Sequence, residues 1–163
     1  MSNKIVCFLA ALACAGAATA APVQARAAAP PVIVFSIQNL GDGTAACPGA
    51  VFGLSFDLRS PAGSPLGSGV SCVHSIPTCQ SAGCHEAIDA TFTLRFGNGS
   101  LVAPVVLDER WLTDSLVVQL TTGRIASGAG AFAGARGSIN CVGTVQFTAA
   151  GAIPKLVCIV RLV

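Results

Sequence analysis

The segment from residue 123 to residue 137 places the tightest restriction on how this chain can fold. It contains five glycines, and a strand-like alternation follows directly from residue 139 to residue 147. Glycine accepts positive φ and a close approach of neighbouring backbone, so this density indicates a tight, specified geometry rather than a loose linker. Phe132 is the one aromatic residue of the segment. We expect its ring to anchor the loop by becoming buried.

The chain beyond residue 30 has the pattern of an all-β domain. Helical periodicity is absent, and β-branched and aromatic runs are separated by Gly, Pro, Asn and Ser. The predicted strands are residues 32–37, 51–58, 69–73, 87–96, 101–107, 116–121, 139–147 and 156–162. Strands of this number and spacing predict a small antiparallel domain of about eight strands, either a closed barrel or a β-sandwich. Residues 31–163 are expected to form this single domain.

Two local signals refine the strand assignment. Gly97-Asn98-Gly99 follows the clearest strand and is expected to form a hairpin turn, in which Asn-Gly supplies the positive φ. Pro104 lies inside the next strand, and its missing N–H predicts an edge or bulged position there. Asn98-Gly99-Ser100 is also a glycosylation acceptor by pattern, which matters only in a eukaryotic source.

Residues 127–137 read Ser-Gly-Ala-Gly-Ala-Phe-Ala-Gly-Ala-Arg-Gly. This run resembles the Gly-Gly-Thr-Gly-x-Phe-x-Gly-Ala-x-Gly signature of allene oxide cyclases and dirigent-like barrels. It departs from the signature at Ser127 and Ala129. The shared positions are Gly128, Gly130, Phe132, Gly134, Ala135 and Gly137.

The resemblance extends from about residue 87 to the end of the chain and implies an eight-stranded antiparallel barrel of calycin type. Allene oxide cyclases bind a fatty-acid epoxide inside the barrel, and dirigent proteins orient radicals for coupling. Members of the family often form dimers or trimers. No catalytic residue of either group aligns with this chain, so the resemblance implies no catalytic role for a particular residue.

Residues 1–25 are predicted to be a signal peptide. Lys4 supplies the positive charge, an apolar run follows, and small residues allow cleavage after Ala20 or Ala25. The alternatives are an uncleaved membrane anchor and, from the sequence around Cys14, a lipid attachment site. Nothing later in the chain is long and apolar enough to span a bilayer. The protein is therefore expected to be secreted, periplasmic or extracellular.

The cysteines predict a disulfide framework. Eight are present, and six remain after the leader is removed. A hairpin turn centred on Ala149-Ala150 would place Cys141 and Cys158 opposite each other, close enough for a bridge. Buried free thiols are the alternative for this pair. Two further bridges are expected among the other four cysteines, Cys47, Cys72, Cys79 and Cys84.

Composition limits the partners. Nine basic and seven acidic residues give a formal charge of +2, without a basic patch, which argues against nucleic acid. Charged residues make up 10% of the chain, against about 25% in ordinary domains. Part of such a surface is expected to be buried in a homodimer or homotrimer. His74 and His85 lie near cysteines, but the spacing favours disulfides over zinc, and no metal or other cofactor is predicted.

The sequence shows no catalytic constellation. Asp108-Glu109-Arg110 is the densest charge cluster, and we interpret it as a solvated turn. Asp57 and Arg59 share one strand face, as do Asp89 and Arg95. If these faces line the barrel, the four residues are lumen candidates; if they face solvent, they are ordinary surface residues, and alternation alone does not choose.

Three functions follow from these observations. The first is a secreted barrel that binds a small apolar ligand or a protein partner without turnover. The second is an enzyme of cyclase or dirigent type that works by confinement. The third is a structural or surface protein that forms oligomers.

Overall fold

A computed structural model describes residues 31–163, which form one sheet of nine antiparallel strands. The predicted signal peptide and its cleavage site lie outside the described residues. The strands are β1 Val32–Asp42, β2 Phe52–Arg59, β3 Pro65–Val73, β4 His85–Phe96, β5 Gly99–Thr113, β6 Leu116–Ile125, β7 Ser127–Gly130, β8 Gly137–Thr148 and β9 Gly151–Leu162. Each predicted strand corresponds to one of them, and β7 is the strand that the pattern did not predict.

The sheet closes on itself. Neighbouring strands pair in the order β4-β3-β2-β1-β9-β8-β6-β5, and β4 also pairs with β5 along its whole length. The first and last strands, β1 and β9, are neighbours, with Val32 opposite Arg161. The structure is therefore the predicted closed barrel of eight strands, and the sandwich alternative is wrong.

Alternation along each strand separates a lumen face from an outer face. In β4, Ile88, Ala90, Phe92 and Leu94 are buried, whereas the residues between them are exposed or half-buried. A period of two is what a strand requires when one side faces a core and the other faces water. The lumen of this barrel is consequently its hydrophobic core.

The glycine-rich segment turns the chain at one end of the barrel. β7 pairs with the start of β5, with Gly99 opposite Gly130, and β6 pairs with the later part of β5. Between these two pairings the register shifts by one residue, because residues 124–126 face only Ala103 and Pro104 of β5. The extra residue is therefore on the β6–β7 side, and Pro104 lies opposite the bulge rather than in it. The ring of Phe132 packs with its centroid 5.4 Å from that of Phe96, but it is half-buried rather than buried as we expected.

The hairpin between β4 and β5 forms in a different way from the one predicted. Phe96 pairs with Gly99, so the two turn residues are Gly97 and Asn98. Asn39 is the one non-glycine residue with positive φ in residues 31–163, so Asn98 does not adopt the left-handed backbone that we expected. The turn packs against the glycine-rich segment instead, because the Ala131 N–H donates to the Asn98 carbonyl at 2.9 Å.

All six cysteines of the described residues are in disulfides. Cys141 and Cys158 are opposed in the β8–β9 hairpin, with Cα atoms 4.0 Å apart, as the predicted register requires. The other bridges are Cys47–Cys72 and Cys79–Cys84. A framework of this kind persists in an oxidising compartment. As for membrane spans, residues 31–163 contain no helix with the length and hydrophobicity needed for one.

Candidate functional site

The lumen is filled at one end and open at the other. The filled half lies beside the glycine-rich segment and holds large side chains that are at most 2% exposed, namely Phe35, Leu58, Leu94, Leu101, Ile139 and Val160. These side chains fill this half, because the interior of an eight-stranded barrel is only just wide enough for side chains. A ligand would therefore have to enter from the opposite end.

A cavity of about 200 Å³ occupies the open half. Its wall is mostly apolar and includes Ile37, Phe56, Phe92, Leu107 and Leu156. An apolar cavity of about 150 Å³ is large enough to hold benzene, and typical ligand pockets begin at about 300 Å³. The space therefore suits one small molecule or the end of a longer one that protrudes from the mouth.

Three polar side chains form a row across this end of the lumen. Glu109 of β5 lies opposite Glu86 of β4 on one side and opposite Gln119 of β6 on the other. We call these three residues the polar row. Directly opposed residues have Cβ atoms about 4.5–5.5 Å apart, so their side chains are neighbours on the inner face.

The polar row extends into the strands and loops beside it. Gln119 Nε2 donates to Thr121 Oγ1 at 2.9 Å, and both residues are buried. Glu86 Oε2 accepts a hydrogen bond from the Thr78 N–H at 2.8 Å. These bonds hold the two outer members of the row in place on either side of Glu109.

Glu109 has the most perturbed carboxyl of the described residues. Its burial in the apolar lumen, and secondarily the neighbouring charge of Glu86, raise its pKa from 4.5 to about 7. Burial penalises the ionised form because a carboxylate loses its hydration, and a second carboxylate adds repulsion. Glu109 can therefore gain or lose a proton near neutral pH.

Several buried polar atoms beside the cavity have no protein partner. Ser71 and Trp111 line it, are 4% and 6% exposed, and leave Ser71 Oγ and Trp111 Nε1 without a hydrogen bond among residues 31–163. Glu86 Oε1 is also buried and has no hydrogen-bond partner among residues 31–163. Buried polar groups in native proteins are nearly always paired, so Ser71 Oγ and Trp111 Nε1 are available to water or to a ligand in the cavity.

A disulfide-closed loop borders the mouth. The mouth loop, residues 74–84, carries Pro77 and Gln80 to the cavity wall, and the Cys79–Cys84 bridge closes its second half. Its Gly83 N–H donates to the Trp111 carbonyl at 2.8 Å, and the Trp111 N–H donates to the Cys84 carbonyl at 2.9 Å. The loop is therefore tied to the strand that carries Glu109.

Two aromatic rings form part of the mouth. Trp111 and Phe147 stack with centroids 5.2 Å apart and planes 13° from parallel. Trp111 is buried, whereas Phe147 is 40% exposed. The pair thus presents a flat aromatic surface between the lumen and the solvent.

The four predicted lumen residues do not line the cavity. In β2 the buried side chains are Phe56 and Leu58, so Asp57 and Arg59 point outward, where Asn39 Nδ2 donates to Asp57 at 2.7 Å. In β4 the buried residues have even numbers, so Asp89 and Arg95 are exposed on the outer face. These four are surface residues because the apolar set of each strand occupies the lumen.

The interpretation of Asp108-Glu109-Arg110 as a solvated turn was also wrong. All three lie inside β5, where extended backbone sends adjacent side chains to opposite faces. Asp108 faces outward and lies 2.9 Å from His85 Nε2 and 3.9 Å from Arg110 Nε. Glu109 faces the lumen. Ser71, Glu86 and Gln119 were missed altogether, although counting by two from the apolar residues of β3, β4 and β6 places them inside.

No family model matches the chain, and neither the curated proteins nor the solved structures include a match.

Proposed function

We propose that the protein is a secreted barrel that binds one small, largely apolar ligand in the open half of its lumen. The observation that carries the proposal is the cavity of about 200 Å³ with an apolar wall, bordered by unpartnered polar atoms of Ser71 and Trp111. Concave apolar sites with a few convergent polar groups are the usual form of small-molecule sites.

Secretion is part of the same proposal. Three disulfides within residues 31–163 suit an oxidising compartment, and the predicted leader of residues 1–25 would direct the chain there.

We also propose kinship with the allene oxide cyclase and dirigent-like barrels. Two features support it: the barrel has eight strands, and the glycine-rich run comes directly before β8 near the C-terminus. The kinship does not bring a catalytic residue with it, so binding remains the primary proposal.

The experiment uses the single tryptophan, because Trp111 lines the cavity and the chain has no tyrosine. Purified, oxidised protein is titrated with 1-hexanol, and the emission of Trp111 is followed. We expect saturable binding with a shift in emission. Native mass spectrometry of protein purified from its source is expected to show a retained small molecule.

A matched pair of variants locates the binding. Ala152→Phe adds a ring at a lining position, whereas Ala87→Phe adds the same ring to the exposed outer face of β4. We expect Ala152→Phe to abolish the hexanol response and Ala87→Phe to keep it. If hexanol does not bind to the wild type, or binds equally to both variants, the lumen is not the site.

Self-association is a second candidate function, favoured by one surface. Leu120, Val142 and Val157 lie opposite one another across β6, β8 and β9 and are 46%, 58% and 50% exposed. We call these three residues the apolar strip. A contiguous exposed apolar strip on a chain with few charges suits burial against a second copy.

A further inference from the structure

We infer that the ligand is an amphipathic amine whose hydrocarbon part fills the apolar lumen and whose ammonium group binds between Glu86 and Glu109. The inference rests on the proposed function and names the ligand class of the same cavity. It commits to a primary or secondary organic amine with a short apolar body, because the cavity holds about 200 Å³.

The two carboxylates face each other without a counter-ion. Glu86 and Glu109 are directly opposed in the β4–β5 ladder, at the end of the lumen that the cavity occupies. The three ion pairs of residues 31–163 involve Asp57 or Asp108, both on the outer face. A pair of carboxylates in a low-dielectric site is stabilised by a cation that binds there.

The buried, unpartnered groups provide the second observation. Ser71 Oγ is in a residue only 4% exposed, lines the cavity and lacks a protein partner among the described residues. A primary ammonium group has three N–H donors and no acceptor, so carboxylate oxygens complement it, and the Ser71 hydroxyl adds an acceptor on the wall of the same cavity. Glu86 Oε1, also buried and unpartnered, is a further acceptor.

The aromatic surface at the mouth fits the same ligand. Trp111 lies two residues beyond Glu109 on the same inner face of β5 and stacks on Phe147. Indole is the best aromatic partner for a cation, through the negative face of its ring. The carboxylates and the indole therefore attract the same charge.

Other ligand classes fit less well. A fatty acid or another anion would be repelled by the carboxylates of Glu86 and Glu109. A metal ion would need more donors, and the described residues contain no group of three or more His, Cys, Asp or Glu side chains placed to hold one. A neutral alcohol would fill the lumen but leave the carboxylates without a counter-ion.

The ionisation of Glu109 makes amine binding depend on pH. Burial raises the pKa of Glu109 to about 7, so the ionised form that attracts an ammonium group increases as pH rises through neutrality. Glu86 faces it from β4 and Gln119 faces it from β6, while in the mouth loop Thr78 bonds to Glu86 and Gln80 lines the cavity. Glu86 is the one titratable group among these. The nearby side chains of His85, Asp108 and Arg110 are on the outer face.

The experiment compares hexylamine with 1-hexanol and hexanoate, three probes of one chain length, by Trp111 fluorescence at pH 6 and pH 8. At pH 8 we expect hexylamine to bind at least about tenfold tighter than hexanol. One hydrogen bond to a charged group contributes enough binding free energy for this difference in affinity. Hexanoate should bind most weakly. At pH 6 the preference for the amine should shrink several-fold.

Two variants test the residues. Glu109→Gln should remove most of the amine preference, measured as the ratio of the hexylamine and hexanol affinities. Asp108→Asn removes the adjacent charge, which faces outward, and should keep the ratio. Glu86→Gln should lower the ratio as well, which provides a second measurement if one of the glutamate variants folds poorly.

The outcomes separate the inference from the proposed function. Equal binding of hexylamine and hexanol to the wild type would overturn the amine assignment and leave the apolar site intact. Tighter binding of hexanoate would overturn it too. If none of the three probes binds, both the amine assignment and the proposed function are wrong. A loss of preference in Asp108→Asn equal to that in Glu109→Gln would show that the carboxylates inside the barrel are not the cause.

Discussion

Glu86 and Glu109 lie directly opposite each other in the β4–β5 ladder, inside the barrel. Glu86 accepts a hydrogen bond from the Thr78 N–H at 2.8 Å, whereas the pKa of Glu109 is raised to about 7 by burial and by the charge of Glu86. The strand pairing thus places an uncompensated negative charge in an apolar lumen. That arrangement has a measurable effect on stability.

The stability of the protein should fall as pH rises between about 4.5 and 7. In that window the unfolded state ionises Glu109 while the folded state still holds the proton, so unfolding becomes easier. The contribution of Glu109 is complete below pH 4.5 and is lost above pH 7. Its full size is at most about 3 kcal/mol. Chemical denaturation at pH 4 and pH 8 measures it.

Glu109→Gln separates this effect from other titrations. The variant should match the wild type at pH 4 and exceed its free energy of unfolding at pH 8 by up to about 3 kcal/mol. Asp108→Asn, which changes the outward-facing neighbour, should not show this gain. A pH dependence that is identical in the wild type and Glu109→Gln would contradict the assignment.

The sequence predicted the barrel more completely than the site, for a physical reason. Strand positions and the Cys141–Cys158 pairing follow from local alternation and from one hairpin turn, both of which are visible along the chain. Which face of a strand is inside depends on closure of the whole sheet. In β5 both faces carry apolar residues, so alternation did not show that Glu109 faces the lumen.

The polar row illustrates the same point. Glu86 precedes the predicted start of its strand by one residue, so counting by two from Ile88 reaches it only when the strand is extended to His85, where β4 begins. Its proximity to Glu109 and Gln119 depends on the registers of two ladders. Register between strands that are distant in sequence is a tertiary property, so the row could not be identified from spacing.

Removal of the Cys141–Cys158 bridge should destabilise the barrel strongly. The bridge closes a sequence separation of 17 residues, and its loss by Cys141→Ala with Cys158→Ala should cost about 3 kcal/mol in the chain-entropy model. Both cysteines are buried in the lumen, so the lost packing adds to this cost. Thermal unfolding followed by circular dichroism measures the change.

The Cys79–Cys84 bridge is the matched comparison. It closes a separation of only 5 residues in the loop at the mouth, so its removal should cost less global stability. Instead it should weaken binding of the cavity probe, because Gln80 of the same loop lines the cavity. If the two double variants lost equal stability, the Cys79–Cys84 bridge would contribute to global stability as much as the Cys141–Cys158 bridge, which would contradict this prediction.

Two glycines of the same segment should respond differently to alanine. Gly130 has φ +63° and Gly134 has φ +76°, so either alanine variant should lose about 1–2 kcal/mol from the left-handed backbone. At Gly130 the new Cβ would also lie 2.5 Å from the Asn98 carbonyl oxygen, whereas at Gly134 it would meet open space. We expect Gly130→Ala to be clearly the less stable variant in denaturant unfolding. Equal losses would show that the contact between the glycine segment and the β4–β5 turn is not tight.

The apolar strip on the outer face should control association. Val142 is at its centre, opposite Leu120 on one side and Val157 on the other, and is 58% exposed. Val142→Lys would place a charge that must remain hydrated in the middle of any interface formed there, so a dimer or trimer should dissociate to monomers. Sedimentation or light scattering over a concentration series measures the mass.

Thr122→Lys provides the control, because Thr122 is an exposed outer-face residue of β6 two positions from Leu120. It adds the same charge to the same side of the barrel without replacing an apolar side chain, so it should weaken association less than Val142→Lys. The barrel itself should be unaffected by either change, since both side chains point away from the lumen. A wild type that stays monomeric at high concentration would refute self-association through the apolar strip. If only Thr122→Lys caused dissociation, the interface would lie elsewhere on the outer face.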